Sequence, residues 1–257
     1  MDCPLCASAE NATVHCWPDF RVQQCAGCGF RFVDTSSSEY PAGAQYVYDE
    51  PGPIHVRPDQ PHIQRRVRDI LRWQRPPGRA LDIGCGKGEL SVALTQRGFE
   101  CTGLDMKERI VSHLRREQPS VRWLQAMTGE LEKVGEQFDV ITMYHVLEHV
   151  SDPVACLRSI LGVARAGALV VIEVPHVDGL EARIKGRRWH YYKVDHVNYF
   201  RASDLRRMAG LVGAEVLEVR GYQHFSHPQN VLWKDLVKGA LARIGFQDVI
   251  SVFLRAR

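Results

Sequence analysis

Two cysteine pairs, Cys3/Cys6 and Cys25/Cys28, fall within the first 28 residues, each pair spaced CxxC and the pairs 18 residues apart. Thiolates at that spacing share one side of a tetrahedral ion, so the set predicts a closed structural Zn²⁺ site with no coordination position left for catalysis. Gly27 and Gly29 flank Cys28 and suit the tight knuckle such ligands need. A second chemical cluster is the loop Asp82-Ile83-Gly84-Cys85-Gly86-Lys87-Gly88. Gly84, Gly86 and Gly88 let the backbone turn sharply and come close to a ligand. Asp82 leads into the loop, where a carboxylate can receive the ammonium of an amino acid. Asp105 closes Gly103-Leu104-Asp105 about 20 residues on, where an acid accepts hydrogen bonds from both ribose hydroxyls. A glycine loop alone is weak, because such turns bind many nucleotides. The dinucleotide version sets a pyrophosphate on the helix N-terminus and reads GxGxxG; here the spacing is GxGxG.

These groups need a scaffold. From Ala80 onward, short apolar runs alternate with helical patterns. The runs 80–83, 100–104, 121–124, 138–143, 168–174, 215–220 and 247–254 predict seven strands, with helices near 87–97, 107–117, 153–164 and 203–212 between them. That alternation predicts an α/β fold, a Rossmann-like doubly wound, mostly parallel seven-stranded sheet. A helix over about 61–75 precedes it, with Ile63, Val67, Ile70 and Leu71 on one face. Residues 1–33, ending in the strand Phe30–Val33, form the small zinc-binding β module. Residues 34–60 read as a linker punctuated by Pro41, Pro51, Pro53 and Pro58, with an unusual load of Tyr40, Tyr46 and Tyr48. Residues 61–257 form the main domain.

The loop with its leading acid resembles motif I of class I S-adenosylmethionine (SAM) dependent methyltransferases. Phe138–Val150 is similar to their fourth-strand motif and Gly167–Pro175 to their fifth strand, and Asp195-His196-Val197-Asn198-Tyr199-Phe200 leads into a helix as in relatives. The resemblance covers about residues 78–257. It implies that Gly84, Gly86 and Gly88 line the methionine part of SAM and that Asp105 binds its ribose. Met106 would flank the adenine, with Gln125, Ala126 and Met127 enclosing the base. Many relatives place an acid there; this chain has none, which leaves the adenine amine to backbone groups or Gln125. Tyr144 and His145 would close over the sulfonium.

Methyl transfer from a sulfonium is an in-line displacement whose donor is already activated, so alignment is the main task. A hydroxyl acceptor also needs a general base, for which histidine is the default. His145, His149, His176, His190 and His196 lie near the cofactor end of the sheet. His196, after the fifth strand, and His149, after the fourth, are the candidates whose loops face the acceptor; each could instead cap a helix or satisfy a loop carbonyl. Glu148 reads as structural. The basic stretch Arg183, Lys185, Arg187 and Arg188 is placed as a lid that could hold a phosphate of a phosphorylated or nucleotide-linked acceptor. A solvated loop is the plainer reading.

Sugar C-methyltransferases with a zinc module resemble this chain, but their tyrosine–histidine–glutamate–histidine run reads Lys193-Val194-Asp195-His196 here, without the tyrosine that serves as base. O-methylation of a small hydroxylated acceptor (sugar, glycan precursor or natural product) therefore fits better. A zinc-module RNA methyltransferase is the alternative, with Arg65–Arg79 tracking phosphates. The net charge of +3 is too mild to support it, and nucleic acid is not an expected partner. A non-catalytic binding module is a third class, opposed by the intact Asp82, glycine loop and Asp105. No apolar run nears the ~20 residues that cross a bilayer, and the N-terminus lacks the features of a secretory signal, so a cytoplasmic location is expected.

Overall fold

The computed structural model describes residues 1–38, 40–41, 44, 54–222 and 247–257. Tyr46, Tyr48, Pro51 and Pro53 lie outside the described residues. The chain opens with three short strands, β1 (Asn11–Cys16), β2 (Arg21–Cys25) and β3 (Arg31–Val33). Then come α1 (Pro61–Leu71), β4 (Arg79–Ile83), α2 (Glu89–Thr95), β5 (Glu100–Asp105), α3 (Glu108–Glu117) and β6 (Arg122–Gln125). The second half runs β7 (Phe138–Tyr144), α4 (Pro153–Gly162), β8 (Ala164–Pro175), α5 (Leu180–Lys185), β9 (Asn198–Tyr199), α6 (Ala202–Leu211), β10 (Glu215–Tyr222) and β11 (Val249–Arg255).

Seven strands form one sheet in the order β10-β11-β8-β7-β4-β5-β6. Strands β8, β7, β4, β5 and β6 run parallel, while β11 lies antiparallel between β8 and β10. The order reverses at β4, so the crevice at the carboxyl ends of β4 and β7 is the place where such sheets bind ligands. The central strands are buried on both faces, which explains why Leu169–Val174 reads as a nearly unbroken apolar run. Glu173 interrupts that run and is 1% exposed, so a partner for its charge must be found inside.

Helix α1 begins with Pro61 in its first turn, where the missing N–H costs nothing, and buries Ile63, Val67 and Ile70 on one stripe. Helix α4 starts on Asp152, whose Oδ1 accepts from the Ala155 N–H at 2.8 Å, with Pro153 next. It stops at Gly162 rather than at 164 because the chain is already entering β8 at Ala164.

The N-terminal strands form a second sheet, β1-β2-β3-β9, whose fourth strand comes from the far half of the chain. Arg31 pairs with Tyr199 and Phe32 with Asn198. Cys3, Leu5, Cys25, Phe30 and Phe32 share one hydrophobic core with Leu81, Ile83, Met143 and Phe200. Phe30 and Phe32 are fully buried there, each worth about 1.5–3 kcal/mol relative to exposure. Tyr40 is also buried, and its hydroxyl donates to the Val194 carbonyl at 2.8 Å. Among the described residues, no helix is long and apolar enough to cross a membrane.

Candidate active site

The glycine loop leaves the end of β4 and enters α2. The Gly84 and Cys85 N–H groups both donate to the Leu104 carbonyl, at 2.7 and 2.9 Å, which ties the loop to β5. Gly84, Gly86 and Gly88 all adopt positive φ, at +68°, +51° and +75°. Two of them are also required by packing. A Cβ at Gly84 would stand 2.3 Å from Val146 Cγ2, and one at Gly88 would stand 2.5 Å from the Trp123 ring. A Cβ at Gly86 would meet nothing within 4 Å, so that glycine faces open space. The loop is thus braced at both ends and open in its middle.

Asp105 ends β5 beneath that opening. Its Oδ2 accepts from the Gly86 N–H at 3.0 Å and its Oδ1 from the Lys107 N–H at 2.9 Å. Each carboxylate oxygen keeps a further lone pair for a hydroxyl donor. Asp82 is more deeply set. It is 5% exposed, and its oxygens accept from Ser91 Oγ at 2.9 Å and Thr142 Oγ1 at 2.7 Å. Burial raises its pKa, a rise that the two hydroxyls oppose. Asp82 therefore joins α2 to β7 under the loop. Met106 and Met127 are 38% and 41% exposed, unusual for large apolar side chains, and stand at the ends of the neighbouring strands β5 and β6. Ala126 donates its N–H to the Asp105 carbonyl at 3.2 Å, and Gln125 Nε2 donates to the Met106 carbonyl at 3.3 Å, which fastens the two strand ends together. The open glycine, the two-oxygen acceptor and the exposed thioethers fit a nucleoside joined to an amino acid, as SAM is.

Tyr144 and His145 follow at the end of β7. The Tyr144 ring is nearly buried under the Arg66 guanidinium, 4.0 Å from its centroid. His145 takes a positive φ of 57°, rare for a non-glycine and a mark of a constrained site. Its Nδ1 lies 3.5 Å from Glu148 Oε1 and its Nε2 lies 3.6 Å from Glu173 Oε1.

Arg65 and Arg66 belong to the basic stretch that the RNA alternative sets on phosphates. Instead both reach over the sheet to Glu173, each at 2.8 Å, where Ser251 Oγ also donates at 2.7 Å. Burial pushes the Glu173 carboxyl up, but the Arg66 and Arg65 charges outweigh it and hold the pKa at about 2. The sequence signal for this ion cluster was available: a lone acid inside the apolar run of β8 demands cations. Two of the arginines proposed to track RNA phosphates are thereby committed internally.

A turn over Leu147–His149 carries the next groups. His149 and His196 meet edge to face with ring centroids 4.7 Å apart. The candidate ligand atoms of Glu148, His149 and His196 all lie within 4.8 Å of one another. His149 Nδ1 is 2.7 Å from the Asp195 carbonyl oxygen, which can only accept, so Nδ1 carries a proton and Nε2 is the acceptor of the neutral tautomer. His149 is half-buried, whereas His196 is 5% exposed and its Nδ1 has no hydrogen-bond partner. Burial depresses the His196 pKa to about 4, with Glu148 opposing and His149 adding to the fall. Burial alone would raise Glu148, but His145, His149 and His196 hold its carboxyl below the ordinary value. Tyr191 stacks on His196 at 5.8 Å.

His190 reaches this cluster through Tyr191, on which its ring packs at 4.1 Å. His176 Nδ1 faces the Gln247 carbonyl at 3.2 Å, and the exposed His190 stands 3.3 Å from Glu181. Arg183, Lys185, Arg187 and Arg188 are exposed on α5 and the turn after it, and Lys185 pairs with Glu181.

The four cysteine sulfurs also converge, with Cys3 Sγ 3.6 Å from Cys28 Sγ and Cys6 Sγ 3.5 Å from Cys25 Sγ. A tetrahedron with Zn–S bonds near 2.3 Å puts sulfurs roughly 3.8 Å apart, close to the observed spacing. The Gly29 N–H donates to the Cys25 carbonyl at 2.8 Å and the Ala7 N–H to the Cys3 carbonyl at 2.8 Å, closing the two knuckles.

The profile of a family described as a methyltransferase domain matches residues 56–219. The ubiquinone biosynthesis O-methyltransferase of Aeromonas salmonicida is 33% identical over 162 residues, which cover 57% of this chain and 66% of that protein. Its counterpart in Pseudomonas entomophila is 31% identical over 159 residues, covering 56% and 67%. That of Pseudomonas fluorescens is 38% identical over 97 residues, covering 36% and 42%. The chain thus spans about two thirds or less of the length of these relatives. Among solved structures, a SAM-dependent methyltransferase from Archaeoglobus fulgidus aligns with a TM-score of 0.56 at 18% identity, covering 76% of this chain and 93% of that one. Magnesium protoporphyrin IX methyltransferase from Synechocystis aligns with a TM-score of 0.57 at 15% identity, covering 83% and 92%. At those identities the likeness is one of fold.

Proposed function

Because the chain belongs to the methyltransferase domain family, we propose that it transfers a methyl group from SAM to a hydroxyl of a small acceptor, a sugar, glycan precursor or natural product, with His149 and His196 handling the acceptor proton. The observation that carries this reading is the histidine pair, set beside the carboxyl edge of β7 and one turn from Tyr144 and His145. O-methyltransferases among the relatives support the hydroxyl as acceptor.

When bound, SAM supplies an electrophilic methyl group on a sulfonium. The chain's own residues do the rest. Gly84, Gly86 and Gly88 hold the cofactor's amino-acid part, Asp105 takes the ribose hydroxyls, and Met106, Ala126 and Met127 flank the base. Asp82 fixes α2 and the loop through Ser91 and Thr142 and takes the cofactor's ammonium with its remaining lone pairs. His149, half-buried and with its Nδ1–H held by the Asp195 carbonyl, is the group that faces the acceptor, its Nε2 taking the proton from the neutral ring's lone-pair side. His196, buried and neutral near pH 7, backs its ring, and the Glu148 carboxylate stabilises positive charge that develops on the pair. This reverses the order expected from sequence, because exposure favours His149. The exposed Arg183, Arg187 and Arg188 would take the phosphate of a phosphorylated or nucleotide-linked acceptor.

The cysteine cluster holds one structural Zn²⁺. Ligands of that kind persist as thiolates in a reducing compartment, which supports a cytoplasmic site of action. The test of the base is the turnover of His149→Ala and His196→Ala on an acceptor found by label transfer. General-base help is worth ~10²–10⁴ in rate, so His149→Ala should fall by that order with SAM affinity kept. Near-wild-type turnover in both variants would remove the histidine base and move an amine acceptor ahead.

A further inference from the structure

The segment that carries His196 belongs to neither neighbour alone. On one side the Val197 N–H donates to the Glu148 carbonyl at 2.8 Å, Asn198 Nδ2 donates to the Val150 carbonyl at 2.6 Å, and His149 Nδ1 donates to the Asp195 carbonyl at 2.7 Å. These bonds place His196 against His149. On the other side the Val33 N–H donates to the Val197 carbonyl at 2.9 Å, and β9 pairs with β3. Strand β3 in turn leaves the second cysteine knuckle, where the Cys25 N–H donates to the Phe30 carbonyl at 2.9 Å. A further strut closes the loop. Arg201 Nη2 lies 2.9 Å from the Cys28 carbonyl oxygen and 2.7 Å from Asp204 Oδ1, so one guanidinium joins the knuckle to the first turn of α6. Phe30 packs on Phe200 beneath, with ring centroids 5.4 Å apart.

The geometry points to a role for the cysteine module beyond stability: it is the positioning element of the His149–His196 pair, acting through β3, β9 and Arg201. The physical reason is that the His196 segment has only two regular residues of its own, Asn198–Tyr199, and takes its register from β3 on one side and from the turn over Leu147–Val150 on the other. A small cysteine module depends on its metal for shape, because metal binding and folding of such units are one equilibrium. Losing the metal releases β3, and with it one of the two edges that set where the His196 ring lies. Buried rings at van der Waals contact are sensitive to shifts of this kind, since small displacements forfeit the contact. The positioning claim is independent of the base assignment; only its effect on turnover rests on the histidine reading proposed above.

The test uses the full chain with ¹⁵N-labelled histidine. Imidazole spectra assign His149 and His196 by the variants His149→Gln and His196→Gln, and are then compared before and after metal removal with a chelator, with SAM affinity measured by calorimetry in parallel. The expected result is that both imidazoles shift by more than a linewidth and that the His196 ring titrates closer to an exposed histidine, while SAM affinity changes less than about twofold. Arg201→Gln, which keeps all four cysteines and the metal, should shift His196 in the same direction, and Arg201→Lys should restore part of the shift. Superimposable His149 and His196 spectra with and without metal would overturn the proposal. Where the metal-free chain unfolds, Arg201→Gln decides in its place, and an unmoved His196 signal overturns it. Shifted imidazoles with an unchanged methyl-transfer rate would keep the positioning role and overturn the histidine base instead.

Discussion

Replacing Glu173 by Gln removes one charge at the centre of an ion cluster while keeping the side-chain volume. Glu173 is 1% exposed and receives Arg65 and Arg66 at 2.8 Å each and Ser251 Oγ at 2.7 Å. Breaking one side of a buried pair costs about 3–5 kcal/mol, chiefly because the partner charges are left uncompensated. Here the Arg65 and Arg66 side chains are 23% and 13% exposed, and Arg65 keeps Asp69 at 3.7 Å, so partial solvation places the cost near the lower end. A second route gives a similar size. The folded carboxyl titrates at about 2 against an ordinary 4.5. That depression corresponds to about 3 kcal/mol, present above pH 4.5 and lost as pH falls through 2. For a chain of this length, 1 kcal/mol moves the melting temperature by roughly 2–4 °C, so Glu173→Gln should melt about 6–12 °C lower at pH 7. The gap to wild type should narrow as the solution is acidified below pH 4.5. Thermal scans at matched rates and urea titrations with unchanged m-value provide the assay. A shift under about 2 °C at pH 7, or a gap that widens in acid, would refute the ion-cluster account.

Asp105→Ala removes an acceptor of two loop N–H groups and of the ribose hydroxyls. Hydrogen bonds to a charged group are worth about 1.5–3 kcal/mol, so calorimetry should show SAM affinity down by roughly tenfold or more. Unchanged affinity would sink the cofactor placement. Elemental analysis should find about one zinc per chain, as a single four-ligand site requires, and Cys25→Ser should lose it; a metal-free chain with an ordered first 33 residues would contradict the assignment. His196 is held neutral by burial with its folded pKa at about 4 against an ordinary 6.5. Between those values the unfolded chain binds a proton that the folded one does not, so stability should decline as pH falls from 6.5 towards 4. His196→Gln should flatten that part of the stability curve, and an unaltered curve would refute it.

Much of the scaffold was readable in the sequence because its signals are local. Apolar runs alternate with helical stripes, Asp82 and the three glycines sit between a strand and a helix, and paired cysteines state their own geometry. What escaped reading depends on pairing across distance. Asn198–Tyr199 is two residues long, too short for any periodicity, yet it joins the N-terminal strands to the main fold. Arg65 and Arg66 resemble a solvated face until the apolar run of β8 is seen to contain an acid that needs them. Asp82 also receives Ser91 and Thr142, one on α2 and one on β7, and neither partner is marked by spacing. The pairing of His149 with His196 follows the same rule. Each lay in a loop the strand order brings to one edge, but their contact depends on the Asp195 carbonyl and on β3.

Methyl transfer from SAM to a small hydroxylated acceptor is open to direct measurement. Incubating the protein with methyl-labelled SAM, total RNA and a metabolite extract, then separating macromolecules from small solutes, tests it in one step. Label is expected in the small-molecule fraction, carried on oxygen and released by ether-cleaving acid, and is expected to be lost with Asp105→Ala. Label on RNA, label on carbon or nitrogen that resists ether cleavage, or SAM binding with no transfer to either pool would contradict transfer to such an acceptor.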